Sequence, residues 1–206
     1  MGSRKKMTQF EIHYPPGATP LTPDEREGLI PDYITTHGEL NELEQKNIQD
    51  AVLWARKRRF ADILTASFTF ELHKQMFGQV WKWAGKTRKS GKNIGVDWTQ
   101  ISSQLGLLVE DTQYWNNHNT FGADEIATRY HHRLVQIHAF PNGNGRHARL
   151  ITDLLLESTG NEPFSWGAKT NLAPLETVGD RRQIYISALQ SADKNQYDLL
   201  LAFVRS

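Results

Sequence analysis

The sequence predicts an all-α domain, and three observations carry that reading. Apolar residues recur at helical spacing in successive runs from residue 35 to the C-terminus. The breaks between runs are short and rich in Gly, Pro and Asn. Residues 85–96 lose the helical pattern and could instead form a small β-hairpin in which Ile94 and Val96 flank Gly95.

Composition bounds the rest. At 206 residues the chain is long enough for one compact domain with a real core. A net charge of +1 provides no global field for nucleic acid or a membrane surface. The absence of cysteine excludes disulfides and thiolate metal sites and suits a reducing cytoplasm, the expected location. No apolar run approaches the ~20 residues of a membrane span. Met1 to Lys6 lacks a signal-peptide core; Met1 to Ser3 reads as an appended stretch, with Met7 as another start.

Residues 1–34 read as an irregular N-terminal arm, broken by Pro15, Pro16, Pro20, Pro23 and Pro31, with Thr22-Pro23-Asp24-Glu25 able to cap one short turn. A domain over residues 35–206 follows. Leu40, Leu43, Ile48, Ala51, Val52 and Ala55 mark an amphipathic helix at about 36–57, closed by the basic run Arg56 to Arg59, which suits a helix C-terminus. Thr65 to Val80 is the next helix, with Phe68, Leu72, Met76 and Phe77 on one side. Gly85 to Val96 is glycine-rich and basic. Asp97 is an N-cap for a helix to about Asn116, with Ile101, Leu105, Leu108 and Val109 inward. Glu125 to Ile137 and Arg149 to Leu156 are helical, and the Gly/Ser/Asn-rich stretch from Glu157 to Thr170 ends the second of them. Arg181 to Ser191 and Gln196 to Val204 read as two closing helices. His131 and His132 make no i, i+4 pair with His138, so they read as packing or surface histidines rather than a zinc pair.

The chemistry concentrates between the two central helices, in His138-Ala139-Phe140-Pro141-Asn142-Gly143-Asn144-Gly145-Arg146-His147-Ala148-Arg149. Pro141, Gly143 and Gly145 stop either helix from continuing through it. Unpaired N–H groups at the start of the second helix sit at the positive end of its dipole, and glycines let the backbone approach a ligand closely. Gly143, Asn144 and Gly145 therefore form an anion nest suited to phosphate. Arg146 and Arg149 share a helix face and can converge on the same anion. His138 can take a proton near neutral pH. A phosphate cradle, two arginines and a base together suggest group transfer from a nucleotide.

This stretch resembles the Fic (Fic/Doc) signature, HPFx[D/E]GNGRxxR, with Ala139 in place of its proline and Asn142 in place of its acid. The resemblance extends over roughly residues 35–205 by helix order, and the chain is similar to the subgroup called mobile mystery protein B. It implies an all-α Fic-type bundle with a small β-hairpin flap at about 86–96, in which Lys92, Asn93, Ile94, Gly95 and Val96 dock a target segment as an added strand. It implies AMP transfer from ATP to a Ser, Thr or Tyr hydroxyl of an unidentified target protein or of the chain itself. His138 is then the base, Arg146 and Arg149 the β- and γ-phosphate contacts, and Asn142 a weakened Mg²⁺ ligand. Tyr185, in the run Tyr185 to Leu189, either stacks on adenine or belongs to the core. Thr35 and Glu39 match an inhibitory motif, [S/T]xxxE[G/N], except that Leu40 occupies its last position; Glu42 is the competing acid. The resemblance implies that Glu39 pairs with Arg149 and brakes transfer. Transfer of another phosphate-containing group, removal of AMP, and a non-catalytic partner role in a mobile genetic element are the alternatives.

Overall fold

The computed structural model describes residues 20–34, 36–58, 60–175 and 179–206. Residues 1–19 of the arm, Thr35 of the expected inhibitory motif and Arg59 of the basic run lie outside the described residues. The described residues form α1 (Pro23–Arg26), α2 (His37–Ala55), α3 (Phe60–Ile63), α4 (Ala66–Phe77), α5 (Ile101–Asn117), α6 (Ala123–Ile137), α7 (Asn144–Ser158), α8 (Asp180–Ala192) and α9 (Asp198–Arg205), with a 3₁₀ turn over Trp98–Gln100. The four-residue α3 is too short to register as periodicity.

Local chemistry starts the helices where their caps stand. Thr36 and Glu39 close a capping box at α2: the Glu39 N–H donates to the Thr36 hydroxyl (3.2 Å) and the Thr36 N–H to the Glu39 carboxylate (3.1 Å). Thr22 and Glu25 do the same at α1. Thr65 caps α4 by accepting from the Phe68 N–H at 3.1 Å. Asp97 caps the 3₁₀ turn rather than α5 itself, accepting from the Thr99 N–H at 2.9 Å. Asp124 and Glu125 stand in the first turn of α6, where the dipole favours them.

α6 and α7 pack along one another at the centre, with α5 against α6, α4 against α7 and α2 against α4. The main core gathers Leu72, Met76 and Phe77 from α4, Leu105 from α5, Tyr130 and Ile137 from α6, and Phe140 and Ile151. A second core lies under α8 and α9, where Leu156, Phe164, Trp166, Tyr185, Leu200 and Phe203 meet. The central pair is therefore gripped on both sides, which fixes the loop joining them. Fully burying one such side chain stabilises by about 1.5–3 kcal/mol.

The arm's described end is no loose appendage. Leu21 and Ile34 are buried, the Ile30 N–H donates to the Val80 carbonyl (2.8 Å), and the Lys82 N–H donates to the Gly28 carbonyl (2.8 Å). These bonds frame an isolated antiparallel bridge between Leu29 and Trp81.

The β-hairpin expected at 86–96 is absent: residues 88–97 carry bends and no strand. The cause is Arg88. Its guanidinium turns inward and binds the Ser90 and Val96 carbonyls, acceptors a hairpin would have used between its own strands. Gly95, at φ +113°, bends the chain away from extended geometry.

Candidate active site

A cavity of about 1250 Å³ opens between α2, the 93–96 segment, the 138–146 loop and α8. His138, Asn142, Gly143, Asn144, Gly145, Arg146 and Arg149 all line it, as do Asn93, Ile94, Gly95, Val96 and Tyr185. Lys92 instead turns to the arm, where its ammonium meets the Glu25 carboxylate (2.5 Å) and the Pro20 carbonyl (3.2 Å).

The loop is built from both ends. His138 ends α6 in the left-handed region (φ 51°, ψ 58°) while its N–H still donates to the Leu134 carbonyl. The Asn144 side chain then closes the loop reciprocally: its amide oxygen accepts from the Phe140 N–H (2.9 Å) and its amide nitrogen donates to the Phe140 carbonyl (2.8 Å). Asn144 thus shapes the loop with its side chain and leaves its backbone for a ligand. Gly143 sits at φ 78°, and a Cβ there would lie 2.7 Å from the Phe77 ring. Only glycine satisfies both the angle and the contact. α7 has no side-chain cap, so its first N–H groups are available to an anion.

Beneath the loop, His73 is fully buried and stacks on Phe140 with centroids 3.7 Å apart. Its Nδ1 accepts from the Gly85 N–H (3.0 Å), which leaves Nε2 to donate to the Asn142 carbonyl (3.0 Å). Burial, with His147 and Arg146 nearby, pushes His73 well below the ordinary histidine value, so it is a neutral strut. The proposed base is also neutral. Burial first, then Arg88 and Lys92, bring His138 down to about 4, and the Val135 carbonyl is a hydrogen-bond partner of the ring.

The two arginines meet different partners. Arg146 pairs with Glu44 at 2.6 Å and lies over the Phe77 ring at 4.8 Å. Glu44 is itself buried, its second oxygen accepting from the Trp81 indole at 2.7 Å. Arg149 reaches the Tyr185 phenol. That phenol also sits 2.8 Å from His131 Nε2, and the ring packs on Phe203. Tyr185 is 7% exposed, so it borders the cavity from within the second core. Glu39 is exposed at the first turn of α2 with its carboxylate in the capping box, while Glu42 and Glu44 reach the cavity wall. His131 and His132 are buried, the latter between Asp193 (2.9 Å) and the Tyr197 phenol (3.1 Å).

Asn142 tests the fit of a metal. Its Oδ1 accepts from the Gly143 N–H at 2.7 Å, so the position offers one neutral oxygen already in use. Among the described residues no cluster of three or more His, Asp or Glu could hold an ion. The site does not fit a resident Mg²⁺; it fits an ion that brings most of its ligands with a substrate's phosphates.

Sequence reasoning passed over Glu44, His73, Trp81 and Arg88. Each comes from an element remote in sequence, and none carries a motif of its own.

The profile of the Fic/DOC family matches residues 63–156. The chain is 30% identical over 106 residues to the protein adenylyltransferase Fic of Aedes aegypti, covering 50% of this chain and 21% of that protein. It is likewise 30% identical over 122 residues to fic-1 of Caenorhabditis briggsae, covering 57% and 22%. The chain thus spans about a fifth of the length of these curated relatives. Among solved structures, Fic-1 of C. elegans superposes with a TM-score of 0.65 at 24% identity, over 87% of this chain and 51% of that one. BepC of Bartonella tribocorum, solved with bound AMPPNP, superposes at 0.65 and 16% identity over 88% and 95%. These likenesses bear out the all-α fold. Residues 63–156 of this chain are thus similar to the Fic/DOC family, and the fold around them is the one these solved Fic structures share.

Proposed function

We propose that the chain is a protein adenylyltransferase. The observation that carries this reading is the convergence, on one cavity, of a neutral buried histidine, an uncapped helix start with a glycine nest, and two arginines. The names of the A. aegypti and C. briggsae relatives and the AMPPNP bound to BepC support it. A Ser, Thr or Tyr hydroxyl of the target attacks the α-phosphorus of ATP. His138 takes the hydroxyl proton, the new P–O bond forms, the bond to the β-phosphate bridge breaks, and pyrophosphate leaves. Gly143, Asn144 and Gly145 form the phosphate nest, Gly143 by its left-handed turn and Asn144 and Gly145 by their backbone N–H groups, while Arg146 and Arg149 hold the β- and γ-phosphates. Positioning and charge stabilisation do the catalysis. Residues 92–96 dock the target. Asn142 would offer one neutral oxygen to a Mg²⁺ ion carried by the triphosphate, and that ion would supply charge stabilisation to the phosphates.

α2 is the brake in this reading. Glu44 already claims Arg146, and Glu39, which holds the first turn of the same helix, is the residue proposed to restrain Arg149. Incubating the chain with α-labelled ATP and cell lysate tests the transfer. Asn142 favours one second reading, transfer of a different phosphate-containing group, and the mass added to a modified protein separates the two.

A further inference from the structure

Arg88 is 1% exposed and heads the largest fully buried side chains among the described residues. A buried guanidinium is costly unless its donors are satisfied. Here backbone carbonyls do that work. Nε donates to the His138 carbonyl at 2.7 Å, Nη1 to the Ser90 carbonyl at 2.8 Å, and Nη2 to the Val96 carbonyl and, at 3.5 Å, to the Ile137 carbonyl. The Arg88 N–H adds a bond to the Ala139 carbonyl at 3.0 Å. Two of those acceptors end α6, where the dipole is negative and a cation is favoured. The other two bracket the segment that borders the cavity. Gly95 closes the contact: a Cβ there would stand 2.6 Å from Arg88 Nη2 and 2.9 Å from the His138 Cβ.

We propose that Arg88 is a positioning residue that makes His138 and the 90–96 segment one unit. A single guanidinium holds the His138 backbone in its left-handed turn and ties both ends of the segment to it. The inference rests on the adenylyl-transfer reading for its purpose: a target docked on 92–96 is then placed relative to the base by the same side chain. Arg88 also sets the charge around the base. The charged groups acting on His138 are Arg88 and Lys92, and Lys92 is paired with Glu25 of the arm.

The test uses the full chain and needs neither target nor turnover. The His138 ring is titrated by NMR, assigned through its loss in His138→Ala, and amide hydrogen exchange is followed over residues 90–96. In Arg88→Gln the His138 pKa is expected to rise above about 4 while staying below the ordinary 6.5, because burial, the larger cause of its lowering, remains. Arg88→Lys keeps the charge, so the titration stays low, but an ammonium cannot serve four carbonyls, and exchange over 90–96 accelerates at least tenfold. Gly95→Ala keeps Arg88 and wedges a methyl into the contact, and the same acceleration is expected. If Arg88→Gln is unfolded by circular dichroism, the lysine and alanine variants decide. A folded Arg88→Gln with an unmoved His138 titration overturns the proposal, as do lysine and alanine variants with unchanged exchange. A chain that transfers no AMP yet shows these shifts retains the clamp and loses only the proposed reaction.

Discussion

Asn142 and Gly143 show how much one position decides. The Asn142 oxygen is neutral and engaged by the Gly143 N–H. Asn142→Asp places a full negative charge at the cavity wall, which favours a divalent cation and opposes a bare triphosphate. Calorimetry with a non-hydrolysable ATP analogue is expected to show tighter binding with Mg²⁺ than without it in this variant, and a smaller difference in the wild type. Equal Mg²⁺ dependence in both would place Asn142 away from the phosphates. At Gly143, alanine must accept a left-handed angle and displace the Phe77 ring. Backbone strain of this kind costs on the order of 1–3 kcal/mol before the clash is counted. Thermal denaturation should show the loss, and an unchanged melting temperature would mean the loop relaxes freely.

Among the elements, α2 carries the regulation we propose. Its inner face delivers Glu44 to Arg146, while its exposed first turn is held by Glu39 and Thr36. Glu44→Gln removes the charge facing Arg146 and is expected to tighten ATP binding about tenfold, worth about 1.4 kcal/mol. Glu39→Gly is expected to speed transfer if it restrains Arg149. If its role is only the capping box, it frays α2 at a cost of about 1 kcal/mol and leaves transfer unchanged. Affinity and transfer measured on both variants separate the two roles. The helices themselves were legible from apolar spacing, and the 138–149 loop from its breakers and its arginines, because both signals are local in sequence. The Glu44–Arg146 pair joins residues 102 apart, so no window along the chain contains it. The 86–96 hairpin failed for a similar reason: Arg88 reads as one more basic residue in an exposed loop until the end of α6 presents carbonyls to it.

At the scale of the whole molecule, buried histidines tie stability to pH. His131 and His147 lie at about 3 and about 4, and His73 well below the ordinary value, each chiefly through burial. The unfolded chain binds their protons near 6.5 and the folded one does not, so the stability they permit is lost as pH falls below that value. Each adds a slope of up to about 1.4 kcal/mol per pH unit between its unfolded and folded values. Asp153 works the other way. Burial raises it to about 6, so its ionisation costs stability as pH rises from its unfolded value toward 6, and acidification relieves that cost. Between 6.5 and 6 the histidines act nearly alone, and below that three of them outweigh one carboxyl. Urea denaturation from pH 7 to pH 5 should therefore show a steady fall in unfolding free energy. A flat profile would mean these rings are hydrated in solution.

In the proposed reaction His138 drives adenylyl transfer from ATP held in this cavity. The most direct measurement compares a chain lacking both α2 acids, Glu39→Gly with Glu44→Gln, against the same chain carrying His138→Ala. Each is incubated with α-labelled or γ-labelled ATP and cell lysate, and modified proteins are resolved by gel and mass spectrometry. Protein-bound α-label, no γ-label and a mass increase of one AMP are expected. His138→Ala is expected to slow transfer by about 10²–10⁴-fold while binding a non-hydrolysable ATP analogue as before. Transfer of the γ-label, or α-labelling undiminished by His138→Ala, would contradict the proposed reaction.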